Sequence, residues 1–196
     1  MKIAIMGGTF NPIHYAHLLS AEQVREGLEF NKIIFVPAAR PPHKSNPDII
    51  AAEHRFQMVL LATENNPFFE VSRIELERKG PSYTFQTIKA LRKIYGETNE
   101  LAWIIGADSL IEYKIWKDFD EVLKQCTLIA TTRPNYNLEQ VPLEILNRVK
   151  TFQITGFDMS ATEIRHRIRN NMSIRYLVPE TVAAYIHKHQ LYSDRS

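Results

Sequence analysis

The chain predicts an open α/β fold: a parallel sheet with helices on both faces, followed by a small C-terminal helical portion. Short β-rich runs alternate with helix-period stretches along residues 1–156, the order expected of parallel strands joined by crossover helices. Several of those runs are unbroken apolar segments, which suits strands covered on both faces. Beyond Gly156 the pattern turns to helices alone. A length of 196 residues with 44% apolar content fits one domain, with 1–156 as the sheet core and 157–196 as the helical portion.

The strands are expected at 2–6, 32–36, 69–76, 101–105, 127–131 and 151–154. Between them, Leu18, Ala21, Val24 and Leu28 mark one helix face. Phe56, Val59, Leu60 and Thr63 mark a second, and Phe85, Ile88, Leu91 and Tyr95 a third. Near the end, Ser160-Ala161-Thr162-Glu163 has the spacing of a capping box. Pro179-Glu180 opens the last helix, with Pro179 suited to its first turn. The longest irregular stretch is 37–50, with four prolines at Pro37, Pro41, Pro42 and Pro47. A loop of that length in a compact domain is commonly functional, so it is expected to close over a ligand and carry Lys44 inward.

Composition excludes several classes. Lys and Arg exceed Asp and Glu by 24 to 22, a net charge of +2, too mild for a nucleic-acid coat or a membrane-hugging surface. The lone Cys126 rules out a disulfide framework and a Cys-based zinc site, and its apolar setting suggests a buried small hydrophobe. The apolar run at the N-terminus is shorter than a signal h-region, and no stretch approaches the ~20 apolar residues of a membrane helix. A cytoplasmic protein that binds neither membrane nor nucleic acid is expected.

In such a sheet, ligands bind beyond the carboxyl ends of the strands. The first strand runs into Gly7-Gly8-Thr9-Phe10-Asn11-Pro12-Ile13-His14-Tyr15-Ala16-His17. Two glycines allow close approach of a ligand, and the helix start that follows offers free N–H groups and a positive dipole end. His14 and His17, three apart, can share a face and donate to one phosphate, or simply cap a surface helix. No nearby Asp, Glu or Cys completes a metal set at recognisable spacing. Neither a P-loop nor a Gly-x-Gly-x-x-Gly fingerprint is present, which argues against ordinary kinases and ATPases.

Other candidates follow the same logic. Lys44, in Arg40-Pro41-Pro42-His43-Lys44, could reach a phosphate or be a solvated lysine. Gly106 allows close approach after the fourth strand, and Asp108 is placed to accept from ribose hydroxyls or to cap the next helix. Arg165 stands in the first turn of the helix that Ser160 and Thr162 open. A cation there opposes the dipole, a conflict that a bound anion would repair; a solvated basic face is the plainer reading. The turn Gly80-Pro81-Ser82-Tyr83-Thr84 could hold a carboxylate on its N–H groups, and Trp116 could stack on an aromatic ring or belong to the core.

Taken together, the segments 7–17, 41–44, 80–84, 105–108, Trp116, Arg133-Pro134 and 160–165 resemble the nucleotidyltransferase superfamily with a His-x-Gly-His signature. Within it they are similar to the bacterial nicotinate-nucleotide adenylyltransferases. Tyr176-Leu177-Val178-Pro179 and Leu191-Tyr192 extend the likeness to the C-terminus, so it spans essentially the whole chain. Ala16 stands where the signature has glycine and Ala161 where the second motif usually has serine. Ala16 alters only the clearance beside the phosphates, and Ala161 leaves Ser160, Thr162 and Arg165 in place.

The resemblance implies a Rossmann-like sheet and transfer of AMP from ATP to nicotinate mononucleotide, releasing pyrophosphate, with Mg²⁺ arriving on the ATP. It assigns ATP to Gly7, Gly8, Thr9, Phe10, His14, His17, Gly106, Asp108, Ser160, Thr162 and Arg165. It assigns nicotinate mononucleotide to Lys44, Tyr83, Thr84, Trp116 and Arg133, and the chemistry to His14, His17, Lys44 and Arg165. It leaves room for a homodimer. A pantetheine-phosphate adenylyltransferase of the same superfamily fits less well, because 80–84 with Trp116 is better explained by a pyridine carboxylate. A nucleotide-binding regulatory module without catalysis would not need His14, His17 and Arg165 intact.

Overall fold

Six strands, all parallel, form one sheet in the order β3-β2-β1-β4-β5-β6. They are β1 (Lys2–Gly8), β2 (Lys32–Pro37), β3 (Phe69–Val71), β4 (Glu100–Gly106), β5 (Thr127–Thr132) and β6 (Lys150–Gln153). This computed structural model describes residues 1–41, 48–133, 138–156 and 158–193. The strand order reverses between β1 and β4, whose carboxyl ends at Gly8 and Gly106 flank the crevice where such sheets bind ligands.

Alternation along the strands builds two cores. Ala4 and Met6 of β1 face one side with Ile33, Phe35 and Ile104, where α1 (Tyr15–Gly27), α2 (Ala52–Thr63), α8 (Ala161–Arg169) and α9 (Glu180–Lys188) cover the sheet. Ile3 and Ile5 face the other with Ile34, Trp103 and Leu128, beneath α4 (Thr84–Tyr95), α5 (Ala107–Ile111), α6 (Phe119–Gln125) and α7 (Leu143–Leu146). The C-terminal portion is continuous with the first core, to which it contributes Ile164, Ile174, Val182, Ile186 and Tyr192. Cys126 is buried in the second core, and burial pushes its thiol up to about 12, leaving it inert. Among the described residues no helix is long and apolar enough to cross a membrane.

Three local expectations need correction. The run 69–76 is strand only to Val71; it then turns into the short helix α3 (Ile74–Glu77). Ser72 starts that turn, its N–H donating to Phe35 O (2.9 Å) and its Oγ accepting from Ile74 N (3.3 Å). On α2 the buried face runs through Arg55, Phe56, Met58, Val59 and Thr63, and Leu60 is 36% exposed. Pro179 caps α9 from outside, with ψ 149°, rather than occupying its first turn. Its fixed φ suits either place, and only the extended ψ separates them.

Candidate active site

Beyond β1 the chain turns through 9–13 into α1, with His14 as the N-cap residue in an extended conformation. The glycines of this segment are demanded by the protein's own side chains. A Cβ on Gly7 would run into the Trp103 ring, and one on Gly8 would meet the Phe10 ring at 2.9 Å. A Cβ on Gly106 would run into the Asp108 carboxylate. Room for these neighbours is thus a reason for glycine that the sequence did not reveal; close approach of a ligand was the expected one.

His14 and His17 stack face to face, ring centroids 3.8 Å apart and planes 26° from parallel. Phe10, held at φ 47°, meets the His17 ring edge-on at 5.1 Å. The His14 N–H donates to His17 Nδ1 (3.3 Å). In the neutral ring the proton of His17 therefore sits on Nε2, the tautomer needed to donate to an anion. His14 is 5% exposed, and burial, aided by the Arg133 charge, lowers its pKa to about 4. Burial thus disfavours a charged His14 ring at neutral pH.

That depression makes stability pH-dependent with a definite sign. The unfolded His14 binds a proton below its ordinary value of 6.5, while the folded one resists until about 4. Its contribution is therefore complete above 6.5 and lost as pH falls through 4. At 1.36 kcal/mol per unit, the loss is about 3 kcal/mol. Urea unfolding at pH 7 and pH 4 is expected to reveal it as a drop that His14→Gln lacks. Equal drops in both proteins would mean that burial does not hold His14 neutral.

The second helix terminus has the predicted cap but only half of the expected capping box, the Glu163 carboxylate lying instead 3.8 Å from Arg167. Ser160 is the N-cap of α8, its Oγ accepting from Glu163 N at 3.1 Å. Arg165, 7% exposed, donates from Nη1 to the backbone carbonyl of Asn11 (2.9 Å) and from Nη2 to Thr162 Oγ1 (3.3 Å). Its buried Nε has no acceptor among the described residues. The guanidinium is thus locked to the β1–α1 segment from 154 residues away with one donor in reserve.

On the other side of the crevice, Gly106 is the N-cap of α5, so Asp108 lies in the helix and is exposed rather than capping it. Tyr83 is the N-cap of α4, but its N–H is spent on Pro81 O (3.1 Å). Among the described residues, the N–H groups of α4 without a backbone acceptor at this end are those of Thr84 and Phe85, one residue along from the expected pair, and of these two residues Thr84 lines the cleft. Trp116 is half-buried, edge-on to Phe119 at 6.2 Å, and the fully buried tryptophan is Trp103. Arg133 pairs with Asp158 (3.3 Å), and the effect of its charge on His14 places it at the histidine end.

A single cleft of about 1090 Å³ is lined by Gly7, Gly8, Thr9, Phe10, His14, His17, Tyr83, Thr84, Gly106, Asp108, Trp116, Arg133, Ser160, Thr162 and Arg165. Lys44 lies outside the described residues, as does most of the loop expected to carry it. Among the described residues no group of three or more His, Cys, Asp or Glu side chains could hold a metal ion. What sequence reasoning missed is Arg55. It is 1% exposed and donates to three carbonyls: Ile50 (3.0 Å), Thr9 (2.7 Å) and Ala39 (3.4 Å). It ties the ends of both loops to α2. Its only sequence signal is a cation on an otherwise apolar helix face.

Residues 5–167 match the cytidylyltransferase-like family. A protein of Moorella thermoacetica called a probable nicotinate-nucleotide adenylyltransferase is 45% identical over 99% of this chain and 93% of its own. One of the same description from Thermus thermophilus is 44% identical over 98% of this chain and 100% of its own. The solved Plasmodium falciparum nicotinic acid mononucleotide adenylyltransferase complexed with NaAD superposes with a TM-score of 0.78, at 19% identity, covering 97% of each chain. The shared sheet and the family match define a nucleotidyltransferase. With relatives this close along its whole length, the chain belongs to the nicotinate-nucleotide adenylyltransferase family.

Proposed function

We propose that the protein transfers AMP from ATP to nicotinate mononucleotide, yielding nicotinate adenine dinucleotide and pyrophosphate in the cytoplasm. The observation that carries this reading is the convergence of two helix N-termini, a histidine stack and Arg165 on one cleft that also holds Trp116 and the start of α4. The first group suits a triphosphate and the second a pyridine carboxylate.

The 5′-phosphate oxygen of the mononucleotide attacks the α-phosphorus of ATP, the bond to the bridging oxygen of the β-phosphate breaks, and pyrophosphate leaves with that electron pair. The nucleophile is already anionic, so no general base is needed. Alignment and charge stabilisation suffice. His17 Nε2–H, the His14 ring, the Arg165 guanidinium and the α1 and α8 N-termini serve the phosphates in this reading. Arg133, at the histidine end, suits the incoming 5′-phosphate, and Lys44 is assigned to the same reaction centre. Mg²⁺ enters as part of the MgATP substrate and supplies neutralisation of the triphosphate. Asp108, exposed at the crevice, accepts from ribose hydroxyls.

The test is pyrophosphate release from ATP with nicotinate mononucleotide, nicotinamide mononucleotide or phosphopantetheine offered in parallel. Release with the first alone, or far faster with it, supports the reading. Release with phosphopantetheine alone, or with none, overturns it.

A further inference from the structure

Tyr192 belongs to none of the assignments above, yet it is bonded to a residue that lines the cleft. The phenol comes from the segment after α9, where Tyr192 adopts φ 64° and its ring is buried in the first core. Its hydroxyl donates to Asn11 Oδ1 at 3.0 Å, across 181 residues of sequence. Burial pushes this phenol up, so it remains a donor at every working pH.

Asn11 has an unusual position. Its side chain is fixed on three sides, accepting from Tyr192 and from Ile50 N (3.3 Å) while donating to the Asp48 carbonyl (2.9 Å). Its backbone carbonyl is the acceptor that holds Arg165 Nη1. One residue thus carries both the side chain anchored by Tyr192 and the carbonyl that holds Arg165. Misplacement of a charge-stabilising group by about 1 Å can cost ~10²-fold in rate.

We propose that Tyr192 is a positioning residue for adenylyl transfer: by orienting Asn11, it sets Arg165 and the segment between β1 and α1 against the triphosphate. This rests on the function proposed above. Because it concerns the nucleotide side of the cleft, ATP affinity reads it independently of the second substrate.

The experiment compares Tyr192→Phe, which keeps the ring and removes only the hydroxyl, with the native protein. The readouts are kcat per folded molecule, KM for both substrates, and ATP affinity by calorimetry. Loss of one buried hydrogen bond is expected to lower kcat ~5–10-fold and weaken ATP ~2–3-fold, with KM for the mononucleotide within about twofold. Asn11→Ala, which cuts the same link with the tyrosine ring untouched and also removes the bonds to Ile50 N and the Asp48 carbonyl, should lower kcat at least as much. In an Arg165→Lys background the cost of Tyr192→Phe should shrink below about twofold, because coupled residues are not additive. A folded Tyr192→Phe protein with native kcat and native ATP affinity overturns the proposal, as does an undiminished cost in the Arg165→Lys background. Should the native protein fail to turn over nicotinate mononucleotide, the functional reading falls. The ATP affinities of the two proteins then still decide this inference.

Discussion

His17→Ala is expected to lower kcat by ~10²–10³ at saturating ATP, the usual cost of removing one preorganised donor to developing charge. The geometry gives this residue, rather than its neighbour, the larger share. His14 is buried and neutral at physiological pH. His17 lines the cleft with its Nδ1 occupied by the His14 N–H, so its proton lies on Nε2. Alanine also strips that acceptor from the first turn of α1, at a cost of ~1 kcal/mol in stability. Folded fraction and turnover must therefore be measured together. A stable His17→Ala protein that keeps near-native turnover would remove this residue from the chemistry.

Preference for the acid over the amide mononucleotide is expected to be ~10²-fold or more in kcat/KM. Two N–H groups at the start of α4, those of Thr84 and Phe85, lack a backbone acceptor, and under the proposed function they would make charge-assisted bonds to the carboxylate, roughly twice as strong as neutral ones. An amide presents one acceptor and turns its NH₂ toward a donor, leaving groups unpaired at ~1–3 kcal/mol each. Two such mismatches multiply. Trp116 can fix the plane of a pyridine ring but cannot tell oxygen from nitrogen. Trp116→Ala is therefore expected to weaken both substrates alike and leave their ratio nearly unchanged. Matched kinetics with the two mononucleotides provide the check, and a ratio near one would defeat the carboxylate reading.

Much of this site was legible because its parts are local. A helix start is written in four or five consecutive residues, so the Ser160 cap of α8 and the turn into α1 could be placed from spacing alone. Other features were not local. Whether a histidine is charged depends on what covers it, and His14 owes its low pKa to burial and to Arg133, far along the chain. Which N–H groups at the start of α4 remain for a ligand depends on a turn that spends that of Tyr83 on Pro81. The Gly7 position was found for one reason and serves another as well, since the Trp103 ring comes up against it only in the folded sheet.

By itself the sequence determined the class of fold, the strand-to-helix junctions at the crevice, and, Lys44 aside, the candidate residues that line one cleft. The first two follow from periodicity, from cap chemistry and from where open parallel sheets leave their crevice, and the third draws also on the family resemblance, which alone brought in Arg133. Only the tertiary structure decided how the set is held. Arg55 on α2, Arg165 on α8 and Tyr192 beyond α9 converge on Thr9 and Asn11, within the short segment between β1 and α1. No spacing rule brings such residues together. Their partners are backbone carbonyls and an amide, which carry no signature in sequence, and the need to pair them arises only when the surrounding chain has excluded water.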